Sequence, residues 1–217
     1  MLKNIIAAAA LCSVLPAFAA GPNLIMDYSF ESAGVGKGGV ADFTGTQLPG
    51  WTATTGEIEV RNDLVGTAED GVDFVELDST ANSSMSTTFD SVAGQLYTLS
   101  FYYSGRPVNA TYNGGFPGGV VPSSSEGLAF NVGSFSGSLF APTNTTSDNV
   151  WQQYTTTFLG TGGVMTLSFA ATGTSDSYGA SLDNVSVTTT VPEPMPLTMM
   201  GVGLLGLMGL RKRLRGN

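Results

Sequence analysis

The chain has 217 residues, 42% hydrophobic and 12% charged, with 29 glycines, no histidine and a formal charge of −9. Residues 20–190 hold three basic side chains (Lys37, Arg61, Arg106) against sixteen acids, a formal −13, because Arg211, Lys212, Arg213 and Arg215 crowd the C-terminus. So acidic a body repels phosphate backbones and argues against nucleic acid as a partner, and without histidine there is neither Ser-His-Asp nor Cys-His catalysis nor an imidazole metal site.

Residues 1–19 carry the three parts of a secretory signal. Lys3 gives a positive start, and Ile5 to Leu15 form an apolar stretch too short to cross a bilayer core of roughly 30 Å as a helix. Pro16 breaks it, and Ala17-Phe18-Ala19 offers the small-x-small pattern of a signal peptidase site. The expected cut falls after Ala19 or Ala20. The single cysteine, Cys12, lies inside this segment behind the bulky Leu11, a poor lipid-attachment context, so the mature chain is expected to have no thiol and no disulfide.

Residues 20–190 show no helical period. Short runs alternate apolar and hydroxyl residues between Gly, Pro, Asn and Asp punctuation. Tyr97, Leu99, Phe101 and Tyr103 alternate with Thr98, Ser100 and Tyr102; Met165, Leu167 and Phe169 alternate with Thr166 and Ser168. The other predicted strands are 24–31, 51–60, 72–78, 84–89, 128–135, 151–158 and 181–188. About nine strands with one wet and one buried face predict an all-β, antiparallel two-sheet sandwich, a jelly roll. Residues 34–39 and 113–127 read as flexible loops rich in Gly, Pro and Ser.

Chemistry-bearing residues are few. Tyr102 points opposite Phe101 and Tyr103 and is a candidate sugar-stacking platform; Tyr112 is another, with Arg106 and Asn109 nearby to hydrogen-bond hydroxyls. Trp51 and Trp151 read as core. Asp183, in Asp183-Asn184-Val185-Ser186-Val187, shares the parity of Val185 and Val187, which turns its carboxylate toward the core. Burial there requires either a cation or backbone N–H donors. No acid pair has a spacing that singles it out for glycoside hydrolysis, and the chain reads as non-catalytic.

At the C-terminus, Val191-Pro192-Glu193-Pro194 precedes an apolar run, Leu197 to Leu210, and then Arg211-Lys212-Arg213-Leu214-Arg215. The prolines predict an extended joint without strand pairing. The run is short and glycine-softened, a transient inner-membrane span whose basic end stays in the cytoplasm. These three parts, in this order, resemble the PEP-CTERM sorting signal of Gram-negative bacteria over residues 191–217. The resemblance implies an exosortase as processing partner, beside the signal peptidase, and delivery to the cell surface or extracellular matrix.

The body carries a second set of motifs: Asn23-Leu24-Ile25 and Ser29-Phe30-Glu31, Leu48-Pro49-Gly50-Trp51, Asp70-Gly71 with Phe74-Val75-Glu76-Leu77, Ala93-Gly94-Gln95-Leu96-Tyr97, and Leu182-Asp183-Asn184-Val185. Their order resembles the galactose-binding-like jelly rolls of the DUF642 and choice-of-anchor surface domains and, more distantly, carbohydrate-binding modules of families 4 and 9. The resemblance implies a polysaccharide ligand, the producer's own exopolysaccharide, and a structural calcium held by Glu31 and Asp183. Calcium suits a carboxylate-rich, histidine-free chain. The rival reading is a structural or adhesive matrix protein with no specific sugar site, and behind it a glycan-processing enzyme.

Overall fold

The computed structural model describes residues 18–192, Ala110 excepted. Glu193, Pro194, the run Leu197–Leu210, Arg211, Lys212, Arg213 and the signal segment through Ala17 lie outside the described residues. Among the described residues no helix is long and apolar enough to cross a membrane.

The strands are β1 (Phe18–Ala20), β2 (Gly39–Phe43), β3 (Thr52–Thr55), β4 (Ile58–Asn62), β5 (Asp73–Glu76), β6 (Ser84–Ser91), β7 (Leu96–Ser104), β8 (Gly127–Val132), β9 (Phe135–Phe140), β10 (Gln152–Leu159), β11 (Gly163–Ala171) and β12 (Ser181–Pro192). Within residues 21–189, one sheet runs β10-β7-β12-β5-β4-β2 and the other runs β3-β6-β11-β8-β9, with every pairing antiparallel. The all-β sandwich expected from the alternation is therefore what forms. Separately, β1 pairs with the last residues of β12, Phe18 opposite Pro192 and Ala19 opposite Val191. Strand pairing thus continues into the proline box instead of stopping before it, since a proline at a strand end forfeits only its own N–H.

The alternating apolar positions meet between the sheets. Tyr97, Leu99 and Phe101 of β7 face Met165, Leu167 and Phe169 of β11, with Val185 and Val187 of β12 and Met85 and Phe89 of β6 beside them. Phe101 meets Phe169 edge-on with ring centroids 5.0 Å apart, and Trp51 packs on Phe30 at 5.4 Å. Trp51 is 2% exposed, a core residue as expected.

Three predicted strands differ from the structure. Residues 24–31 do not form a strand: Ile25 N donates to Asn23 Oδ1 and Ser32 N to Asp27 Oδ1, and Asp27 (φ 51°) and Phe30 (φ 64°) are left-handed. Asx side chains here replace a ladder with turns. Residues 51–60 divide into β3 and β4, which belong to opposite sheets; Gly56 (φ 64°) makes the crossing. The expected strand 128–135 ends at Val132, and the chain reverses there into β9. Part of the glycine-rich loop at 34–39 leads directly into the unpredicted edge strand β2.

Candidate functional site

The outer side of the six-stranded sheet is closed by charge. Alternation places Val60 and Val75 in the core, so Arg61 and Glu76 project from the other side. Glu76 Oε2 accepts from Arg106 Nη1 at 2.7 Å and forms an ion pair with Arg61 Nη1 at the same distance, while its Oε1 accepts from Gly179 N at 2.7 Å. Arg61 also pairs with Glu59 at 2.5 Å. Burial raises the Glu76 carboxyl above its ordinary value, and the two guanidinium groups oppose that rise. Arg106 Nε donates to Asn113 Oδ1 at 2.7 Å, and Asn113 Nδ2 donates to the carbonyls of Pro107 and Gly119. Tyr178 lies over the Arg106 guanidinium at 5.2 Å and meets Phe116 edge-on at 4.9 Å. Arg106 N donates to Glu126 Oε1, and burial pushes the Glu126 carboxyl up to about 8.

This arrangement decides most of the predicted loop site. Arg106 is 5% exposed and consumed by an internal ion pair, so it does not present its guanidinium to sugar hydroxyls. A lone cation in an acidic body gains most by joining a buried carboxylate, and only the fold places Glu76 there. Asn109 Oδ1 accepts from the N–H groups of Thr111 and Tyr112, both at 3.0 Å, and shapes its own loop. Tyr112 is 50% exposed. Tyr102 stays on β7, partly buried on the outer side between Gln153 and Asp183 of the neighbouring strands. Trp151, expected in the core, instead packs edge-on against Phe74 at 5.9 Å on this outer side and donates Nε1–H to Thr67 O.

Glu31 and Asp183 converge on one loop. Glu31 Oε1 accepts from the N–H groups of Val72 and Asp73 at 2.8 and 2.9 Å; Asp183 Oδ2 accepts from Glu69 and Asp70 at 2.7 and 3.0 Å. Asp183 is fully buried, yet not toward the core. The β12–β7 register shifts between Asp183 and Ser186, with Asn184 at φ 47°, so Leu182 and Val185 face inward while Asp183 faces out beneath the loop. A bulge reverses parity, which alternation alone does not reveal. Burial raises Asp183 to about 7 and, with the Glu31 charge next, Asp73 to about 6. Asp27 Oδ2 and Asp73 Oδ1 are buried without a hydrogen-bond partner. Among the described residues no group of three or more carboxylates converges as a metal cage.

The five-stranded sheet presents a different surface. Ser136 of β9 stands opposite Asn131 of β8, Asn131 opposite Ser168 of β11, Ser168 opposite Ser86 of β6, and Ser86 opposite Thr52 of β3. Four inter-strand steps make this transverse polar row roughly 19 Å long. Ser136, Asn131 and Ser168 of this row, with Ala129, Ser138 and Ala170 beside them, floor an open trough of about 580 Å³, and Ser86 and Thr52 continue the row beyond it. Asp90 is the one charged outward position on these five strands. Two residues beyond Ser138 on the same face of β9 lies Phe140, 56% exposed and resting on Gly127, where a Cβ would stand 2.9 Å from its ring. Sequence reasoning missed Phe140; the signal was the alternation of Ser136, Ser138 and Phe140 against Phe135, Gly137 and Leu139, one strand beyond the predicted end.

Residues 23–188 match the family described as "Protein of unknown function (DUF642)". The chain belongs to that family. No curated protein matches it by sequence. Among solved structures, a carbohydrate-binding module of family 35 from Paenibacillus barcinonensis is similar at 18% identity and TM-score 0.41, covering 70% of this chain and 98% of that one. A family 61 module in complex with β-1,4-galactotriose is similar at 14% identity and TM-score 0.41, covering 77% and 98%. An arabinose-bound α-L-arabinofuranosidase is similar at 12% identity and TM-score 0.49 over 77% of this chain, which spans 26% of that enzyme's length.

Proposed function

We propose that this protein is an exported, non-catalytic polysaccharide-binding β-sandwich. The observation that carries the reading is the trough on the five-stranded sheet. It is uncharged, lined by hydroxyl and amide groups, shallow through small side chains, and flanked by an exposed phenyl ring. Hydroxyl and amide rows exchange hydrogen bonds with sugar hydroxyls, and a flat ring covers the C–H face of a pyranose. Since the surrounding body is strongly acidic, the favoured ligand is a neutral polysaccharide rather than a uronate-rich one.

In this reading the signal peptidase removes residues 1–19 and the tail of residues 191–217 holds the precursor in the inner membrane. An exosortase then cuts near Val191-Pro192-Glu193-Pro194 and releases the sandwich to the cell surface or matrix. The tripartite order of proline box, apolar run and basic cluster supports this route. Calcium enters as a structural ligand. Glu31 Oε1 already accepts two backbone N–H groups and Asp183 three, so the oxygens left for a cation are Glu31 Oε2, Asp27 Oδ2 and Asp73 Oδ1.

The test is equilibrium binding of the purified protein to a panel of neutral and acidic polysaccharides. Ala129→Trp should abolish binding to a neutral glycan and Phe140→Ala should weaken it about tenfold while the melting temperature holds, with Tyr112→Ala unchanged. Loss with Tyr112→Ala alone would move the site to the β7–β8 loop. Absence of binding to every glycan would leave the structural or adhesive role.

A further inference from the structure

One end of the sandwich is apolar. The β6–β7 turn exposes Val92 (66%) and Leu96 (41%), and the β10–β11 turn exposes Leu159 (62%) and Val164 (68%). Leu96 and Leu159 are direct cross-strand partners. The two turns are laced together: Gly94 N donates to Gly160 O and Gly160 N to Gln95 O, both at 2.8 Å, and Ser91 Oγ donates to Gly163 O at 3.0 Å. A side chain at Gly160 would collide with Val92 O and stand 2.8 Å from Tyr97, so the turns close only with glycine there. Residues 91–96 and 159–164 contain no charged side chain, in a body that holds nineteen; the nearest is Asp90, the exposed cross-strand partner of Val164. A rigid tip with four exposed aliphatic side chains and a single carboxylate at its margin is a surface that water solvates poorly.

The chain leaves the body at this same end. Thr189 of β12 pairs with Tyr97, the neighbour of Leu96, and Gly21 N donates to Thr189 O at 2.9 Å. From Thr189, seven residues lead to the apolar run at Leu197, a connection that spans at most about 25 Å fully extended.

We infer that the tip formed by Val92, Leu96, Leu159 and Val164 docks on the outer surface of the lipid bilayer while the tail holds the precursor there. This rests on the tethering part of the proposed function. The short connection brings the tip to the membrane, and the aliphatic side chains enter the interface without needing anionic lipid, since the tip has no cation to attract it. Docking stands the sandwich upright on the membrane, its trough directed sideways into the periplasm and the box at 191–194 held near the bilayer, where a membrane protease reaches it.

The experiment uses the full chain carrying Cys12→Ser, reconstituted in phosphatidylcholine–phosphatidylethanolamine vesicles, with an environment-sensitive dye on Val164→Cys, Val92→Cys or Tyr112→Cys. Nitroxide-labelled lipids should quench the two tip dyes at least threefold more than the Tyr112→Cys dye, and Leu159→Asp with Leu96→Asp should remove quenching at Val92→Cys. If the protein floats with the vesicles but the tip dyes stay unquenched, or all three positions quench alike, the docking is overturned and the tether stands. If the protein does not float at all, the tethering reading falls and the docking with it.

Discussion

The two outer sheet faces of one sandwich take opposite routes. The six-stranded sheet projects Arg61 and Glu76 and then covers them with the β7–β8 loop, whose Arg106 and Asn113 complete a closed charged cluster. Its five-stranded partner projects Ser, Thr, Asn and Ala and is covered by nothing among the described residues around the trough. Charged groups out of water demand partners, so the first face spends its loop on sealing. Neutral hydroxyl and amide groups are satisfied by water while exposed and need no protein partner, so the second face stays open and available to a ligand.

The largest expected effect tests that contrast. Glu76→Ala should cost about 3–5 kcal/mol in denaturant unfolding, because two buried guanidinium groups lose their counter-charge. A loss below about 1 kcal/mol would mean that water reaches the cluster and that the face is not sealed.

The pH dependence comes next. Glu126, Asp183 and Asp73 titrate near 8, 7 and 6 in the fold, against 4.5 for a free Glu and 3.8 for a free Asp. Below about pH 3 they are protonated folded or unfolded and contribute nothing. As pH rises the unfolded chain ionises first, so stability falls progressively until the folded values are passed near pH 8. Stability should therefore fall steadily as pH rises from about 4 to 8. Glu126→Gln, which imitates the protonated acid, should flatten the upper part of that slope; an unaltered slope would show that Glu126 is not the group responsible.

Calcium sharpens the comparison on the sealed side. If the cation binds beside Glu31, saturating it at a hundred times its dissociation constant should add about 2.7 kcal/mol, removable by chelator and abolished by Asp73→Asn. A melting curve indifferent to chelator removes calcium from the account. On the open side, Phe140→Ala should weaken glycan binding about tenfold, roughly 1.4 kcal/mol, measured by calorimetric titration. Ser168→Ala should change stability by less than about 0.5 kcal/mol, since nothing packs on its exposed side; a larger loss would mark the trough as structural.

Much of this was legible beforehand, and for a definite reason. The alternation in β7 and β11 named Tyr97, Leu99, Phe101, Met165, Leu167 and Phe169, all of which line the core. Burial in a sheet follows parity, and parity is written in the sequence. Where parity was interrupted, the reading failed. Gly56 sends one apparent strand into two sheets, and the left-handed Asn184 turns Asp183 to the opposite side. The candidate site was harder. Arg106 is polar in sequence and buried in fact because its partner, Glu76, lies thirty residues earlier. Phe140 joins Asn131 and Ser168 only through the β8–β9–β11 pairing.

The sequence by itself determined the acidic charge, the absence of imidazole chemistry, the all-β class and which strand positions face inward, since each depends on composition or on neighbours within a few residues. Tertiary structure alone decided that one face closes over an ion cluster, that the other carries an uncharged trough, and that four aliphatic side chains gather where the chain departs. Those properties depend on strand order, and strand order brings together residues that no local pattern connects.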